Sequence, residues 1–104
     1  MSVATIAGHQ VHVDREGFLT AYDEWDEALA DRLAERIGVS LTERHRAAIR
    51  FLREDFAARG ETATLRRVAV VGGIPVKELF ALFGAKPAKK MAYIAGLPKP
   101  RGCV

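Results

Sequence analysis

Ser40-Leu41-Thr42-Glu43 reads as a capping box, and Arg44-His45-Arg46-Ala47-Ala48-Ile49-Arg50-Phe51-Leu52 continues from it as a helix. In such a box the hydroxyl and the carboxylate each take up a backbone amide that the first helical turn leaves without a partner. The apolar stripe of this helix is His45, Ala48, Ile49, Leu52 and Phe56, and Gly60 stops it. A stripe on one side of a long helix must be covered by other elements, so the chain on either side is read for them.

Upstream, Trp25, Leu29, Leu33 and Ile37 recur every four residues with Ala28 beside them. This spacing predicts a first helix capped by Asp23, with Glu24, Asp26 and Glu27 in its first turn and Arg36 near its end before Gly38. Further upstream the period changes to two. Val11 and Val13 alternate with Gln10 and His12, as in a half-buried strand, and Gly8-His9 turns the chain from an earlier strand around Val3–Ile6. Asp14-Arg15-Glu16-Gly17 is a second turn signal, leading to a short Phe18-Leu19 strand.

Downstream, a third helix is expected over about Ala63–Val71, with Leu65 and Val68 on one face, broken by Gly72-Gly73. Pro75 suits the first turn of a fourth helix that turns Val76, Leu79, Phe80 and Phe83 inward and ends at Gly84. Pro87 opens a short fifth helix through Ala95. Past Gly96 the chain reads Leu-Pro-Lys-Pro-Arg-Gly-Cys-Val, where two prolines remove backbone donors and favour an extended arm. The expected fold is α+β and mostly α. A small N-terminal β-meander packs on an array of about five helices, with a helix-turn-helix-like pair and an extended C-terminal arm. Residues 1–104 form one domain, with 96–104 as a flexible arm.

The composition narrows the function. No apolar run reaches membrane-spanning length, and the N-terminus lacks the basic and apolar regions of a secretion signal, so a cytoplasmic protein without a membrane partner is expected. Residues 1–61 hold twelve acids against eight bases, whereas residues 62–104 hold one acid, Glu78, against eight bases. The basic half points to an anionic partner, either nucleic acid or an acidic protein surface, or else to a solubilising face. The chain has a single cysteine, which excludes an internal disulfide framework and a cysteine-rich metal site. His9 and His12 are three apart on a strand and so point to opposite faces, and His45 lies on an apolar stripe, so no metal and no cofactor is expected. No nucleophile–base pair supports a hydrolase. A nucleic-acid-binding reading rests on the helix-turn-helix-like pair with Arg66, Arg67 and Lys77 nearby. It is weakened because Lys77 and Glu78 are the only polar side chains from Val76 to Phe83.

The single thiol, Cys103, is penultimate and stands outside every apolar-periodic element. Gly102 before it leaves the backbone open to close approach, and Lys99 and Arg101 are the nearest cations, which favour a thiolate. Fully extended, the eight residues after Gly96 reach roughly 26 Å. A thiol on such a tether suits a carrier that visits another protein, and position alone leaves a loose tail as the other reading.

The ending Ile94-Ala95-Gly96-Leu97-Pro98-Lys99-Pro100-Arg101-Gly102-Cys103-Val104 closely resembles the C-terminal signature of the DsrC/TusE family of sulfur-relay proteins. Val13-Asp14-Arg15-Glu16-Gly17-Phe18-Leu19, the Trp25 that opens the first helix, Leu41-Thr42-Glu43-Arg44-His45, Leu79-Phe80-Ala81-Leu82-Phe83 and Pro87-Ala88-Lys89 extend the resemblance over nearly the whole chain. The resemblance implies a penultimate cysteine, Cys103, that receives sulfane sulfur as a persulfide and hands it on, acting as a sulfurtransferase. It also implies basic residues near that cysteine, Arg66 and Lys89. The implied partners are an upstream persulfide donor complex of the TusBCD/DsrEFH type and a downstream acceptor such as a tRNA thiouridylase with its tRNA. Relatives that serve dissimilatory sulfite reductase carry a second cysteine where this chain has Ala92. The alanine matches the one-cysteine, TusE-like branch of tRNA 2-thiouridine relay, and sulfur trafficking in dissimilatory sulfur oxidation is the alternative. On this reading Lys89, Lys99 and Arg101 stabilise the anionic sulfur, the arm residues Gly96, Leu97, Pro98, Pro100 and Gly102 carry it, and Lys86 and Lys90 are solvated.

Overall fold

A computed structural model describes residues 2–6 and 8–101 of the 104. Two antiparallel strands, β1 (Ser2–Ile6) and β2 (His9–Val13), open the chain, with Ser2 opposite Val13 and Ile6 opposite His9. Val11 and Val13 face inward and His12 outward, as the alternation predicts. The expected third strand at Phe18-Leu19 is reduced to one bridge, Val13 to Leu19. The Asp14 carboxylate accepts the amides of Glu16 and Phe18 at 2.9 and 3.0 Å, and the Asp14 amide donates to Phe18 O at 2.9 Å. That backbone bond and the one from the Thr20 amide to His12 O, also 2.9 Å, make the bridge, and the Asp14 carboxylate takes the Phe18 amide, so the pairing stops there.

After a 3-10 turn at Tyr22–Glu24 come five helices: α1 (Glu27–Arg36), α2 (Glu43–Arg59), α3 (Leu65–Val70), α4 (Val76–Phe83) and α5 (Pro87–Ile94). The cap of α1 is Asp26, not Asp23. Its Oδ1 accepts the Leu29 amide at 2.8 Å. Trp25 stays extended, outside the helix.

The cap of α2 is Thr42, not Ser40, and the residue that closes the box is His45. His45 Nδ1 accepts the Thr42 amide at 3.0 Å, while Nε2 lies 2.6 Å from the Leu82 carbonyl. A carbonyl only accepts, so Nε2 carries the proton. The ring also meets Phe83 edge-on at 4.9 Å. His45 is therefore a fully bonded core histidine that ties the start of α2 to the end of α4.

In α4, Leu79 and Phe83 face inward. Val76 and Phe80, also expected inside, are 40% and 48% exposed. An eight-residue helix with apolar residues on every side can bury only one face. α5 lies at the centre of the molecule against α1, α2 and α4. One core cluster joins these helices around Ile49, Leu52, Leu79, Met91 and Ile94. A second joins the sheet to Leu29 and Leu33 of α1, and Trp25 and Tyr93 pack against both. No described helix is long and apolar enough to cross a membrane.

Candidate functional site

Cys103 and Gly102 lie outside the described residues, so the site is built from the root of the arm that bears them. α5 ends in a Schellman turn. The Gly96 amide donates to Tyr93 O at 3.3 Å and the Leu97 amide to Ala92 O at 3.0 Å. Gly96 has φ +69°, and a Cβ there would lie 2.5 Å from Cδ1 of Trp25. Only glycine supplies both the left-handed backbone and the space.

The carbonyls that a helix end leaves open are all taken here. Met91 O accepts the Ala95 amide at 2.8 Å, Ile94 O accepts Trp25 Nε1 at 2.8 Å, and Ala95 O accepts Arg53 Nη1 at 2.8 Å. The other Arg53 terminal nitrogen donates to Tyr22 O at 2.9 Å. Its guanidinium lies 3.9 Å from the Tyr22 ring centroid and 4.2 Å from that of Trp25. Burial pulls the pKa of this guanidinium below its ordinary value, and the carbonyls and ring faces compensate for the lost water. Arg53 thus clamps α2, the 3-10 turn and the end of α5 together. Nothing in the sequence singles Arg53 out, since an arginine in mid-helix reads as solvated.

Beyond this turn the chain is seated, which differs from the free arm expected from Gly96 onward. Leu97 is fully buried and Pro100 is buried. Thr62 Oγ1 donates to Pro98 O at 2.7 Å, and Lys99 Nζ lies 3.4 Å from Glu16 Oε1. The sequence marks Pro98 and Pro100 as extended, but it does not reveal that Thr62 and Glu16, distant in the chain, meet them. With Pro100 seated, the three residues on to Cys103 span at most about 10 Å.

The two basic residues that the resemblance places near the cysteine stand on different helices, Arg66 on α3 and Lys89 on α5. Arg66 is exposed on α3, which packs on α2 and α4. Lys89 lines a cleft of about 540 Å³ together with Glu16, Phe18, Arg36, Lys86 and Tyr93. Lys90 also lines it, and its Nζ donates to Phe83 O at 3.1 Å. Lys86 and Lys90 are therefore members of a cleft, not merely solvated side chains. Lys99 reaches the same cleft through Glu16, and Arg101 is exposed. Among the described residues no three metal-ligating side chains cluster.

The helix-turn-helix-like pair is α3 and α4. Val70 and Val71 at the end of α3 are 71% and 56% exposed, beside the exposed Val76 and Phe80 of α4. This apolar surface does not suit a phosphate backbone, which is met by cations and polar donors.

Comparison with known proteins agrees with this geometry. The chain is 33% identical to the dissimilatory-type sulfite reductase subunit gamma of Nitratidesulfovibrio vulgaris (strain Hildenborough) over 105 residues, covering 100% of both chains. It is 35% identical to the sulfurtransferase TusE of Sodalis glossinidius (strain morsitans) over 104 residues, covering 93% of this chain and 96% of that one. The NMR structure of Allochromatium vinosum DsrC matches with a TM-score of 0.80 at 35% identity, over 98% of this chain and 97% of that one. Residues 5–104 match the family model described as DsrC like protein, so this chain belongs to the DsrC-like family.

Proposed function

We propose that this protein is a sulfur carrier that takes up sulfane sulfur as a persulfide on Cys103 and passes it to a partner. The observation that carries the reading is a family match that runs to residue 104 and so includes the sole cysteine. The bonded, buried root of the arm supports it, since it sets the tether to Cys103 at a fixed place on the body. The Cys103 thiolate attacks the outer sulfur of a donor persulfide. The new bond joins the two sulfurs, the old sulfur–sulfur bond breaks, and the donor leaves as a thiolate that takes up a proton. The same exchange in reverse order delivers the outer sulfur to an acceptor, and access and thiolate fraction set both rates.

Ala92 favours the one-cysteine branch, with a donor complex of the TusBCD or DsrEFH type upstream and a tRNA thiouridylase with its tRNA downstream. The basic C-terminal half, Arg66 and Lys89 included, supports docking on anionic surfaces. Incubation with a persulfide donor followed by intact-mass measurement tests the proposal. The wild type should gain one sulfur atom and Cys103→Ser none, and an equal gain in the variant would sink it.

A further inference from the structure

The cleft beside the arm has an unbalanced charge. Arg36 comes from the end of α1, and Lys86, Lys89 and Lys90 from the start of α5, so four cations converge on one space. The single carboxylate in the lining, Glu16, faces the ammonium of Lys99. Among the described residues Arg36, Lys86 and Lys89 have no acidic partner, and Lys90 spends one donor on the Phe83 carbonyl. Like charges held this close repel one another, and an anion between them removes that cost. The rest of the lining is apolar, from Phe18, Ile37, Ala85 and Tyr93, and Phe18 and Tyr93 brace each other edge to face at 5.7 Å. The occupant that fits is a small molecule with more than one carboxylate, whose hydrocarbon parts can lie on Phe18 and Tyr93. The volume of about 540 Å³ falls within the usual range for small-molecule sites.

The position of the cleft narrows the class further. The Glu16–Lys99 pair joins its rim to the arm, and the four residues from Lys99 to Cys103 span at most about 13 Å. We infer that the cleft recognises an anionic low-molecular-weight thiol persulfide and presents its outer sulfur to Cys103, so that sulfur enters the relay from a small molecule as well as from a protein. This rests on the persulfide-carrier reading. The transfer balances as R–S–SH plus the Cys103 thiolate giving R–S⁻ plus the Cys103 persulfide. The anionic groups of R stay on the cations while the sulfur moves.

The experiment compares two donors, glutathione persulfide, whose body carries two carboxylates against one ammonium and is net anionic, and the persulfide of N-acetylcysteine amide, whose body is uncharged. The readout is the ratio of their initial loading rates on Cys103, followed by intact mass. A cleft that focuses anions should favour the charged donor by about tenfold at low salt, with the ratio falling toward one as salt is raised. In an Arg36→Gln, Lys86→Asn double variant the ratio should fall to about one. Asparagine is chosen because Lys86 has φ +54°, a region that asparagine tolerates. Titration with S-methylglutathione, which cannot transfer sulfur, should shift the backbone amides of Arg36, Lys89 and Tyr93 in the wild type only. A wild-type ratio near one, or a ratio that survives the double variant, overturns the cleft assignment and leaves the carrier reading intact. Failure of both donors to load Cys103 while a protein persulfide donor loads it overturns the cleft assignment alone, and failure of all three overturns the carrier reading and the cleft assignment with it.

Discussion

Gly96 shows how much one residue without a side chain decides at the root of the arm. Two costs separate at this position when it is compared with Gly38. Both have positive φ, +69° and +74°, but nothing lies within 4 Å of a Cβ built on Gly38, whereas Trp25 Cδ1 lies 2.5 Å from one built on Gly96. Gly38→Ala should therefore cost only the left-handed backbone term, about 1–2 kcal/mol. Gly96→Ala adds a collision with an indole that is fixed by its bond to Ile94 O, and such overpacking costs typically a further 1–3 kcal/mol. Denaturant unfolding should rank wild type above Gly38→Ala and Gly38→Ala above Gly96→Ala, with the Trp25 indole resonance moved only in the last. Equal midpoints for the two variants would mean that Trp25 yields freely and that the arm's root is softer than its bonds imply.

Between elements, α2 and α3 are held by a buried carboxylate. Asp55 accepts Nε and Nη2 of Arg67 at 2.8–3.1 Å and Nη1 of Arg59 at 3.0 Å. The bonds from Arg67, reinforced by Arg59, outweigh burial and hold the Asp55 carboxyl below its ordinary range. The folded state thus binds the proton more weakly than the unfolded chain does. The stabilisation is complete above the ordinary aspartate value of about 3.9 and is lost as pH falls through the lowered native value. Asp55→Asn should melt below wild type at neutral pH, and the gap should close as the pH is taken below about 4. A gap that stays constant with pH would show that shape, not charge, holds the pair.

The same elements show what the sequence discloses and what it withholds. The stripe of α2 is legible because periodicity is local. His45, Ala48, Ile49 and Leu52 are buried as expected, and Phe56 is half-buried because it stacks on Tyr22 at 5.8 Å. The start of α1 is misplaced because Trp25 keeps the four-residue spacing, yet its indole is used by Ile94, sixty-nine residues away. The inward face of α4 cannot be chosen from Val76, Leu79, Phe80 and Phe83 alone, since His45 on α2 selects Phe83. In the site, Cys103 stands out by position. Arg53, Thr62, Arg36 and Lys86 do not, because each acts through partners far along the chain.

Across the whole molecule, the arm leaves a helix whose core-facing residue at position 92 is alanine. Ala92 is fully buried, and its carbonyl holds the Leu97 amide that begins the reversal of the chain. A disulfide needs β-carbons about 3.8 Å apart and two sulfurs, and the chain has one cysteine, so any oxidised form must join two molecules through Cys103. Ala92→Cys restores the second sulfur at a point separated from Cys103 by ten residues. The added atom enters a filled core, at a cost of about 1–3 kcal/mol, while a loop of this size adds only a modest closure entropy. Oxidised at low protein concentration, the variant should lose two hydrogens in mass and remain monomeric. The wild type should yield only a reducible dimer. The bonds of Pro98 to Thr62 and of Lys99 to Glu16 hold the segment Gly96–Pro100 on the body, and their opening is expected to free the chain that carries Cys103. Thr62→Val in the Ala92→Cys background should therefore speed bridge formation. An unchanged rate would show that these two contacts do not restrain the arm, and that the tether to Cys103 is nearer to the roughly 26 Å of a free chain than to the 10 Å of a seated one.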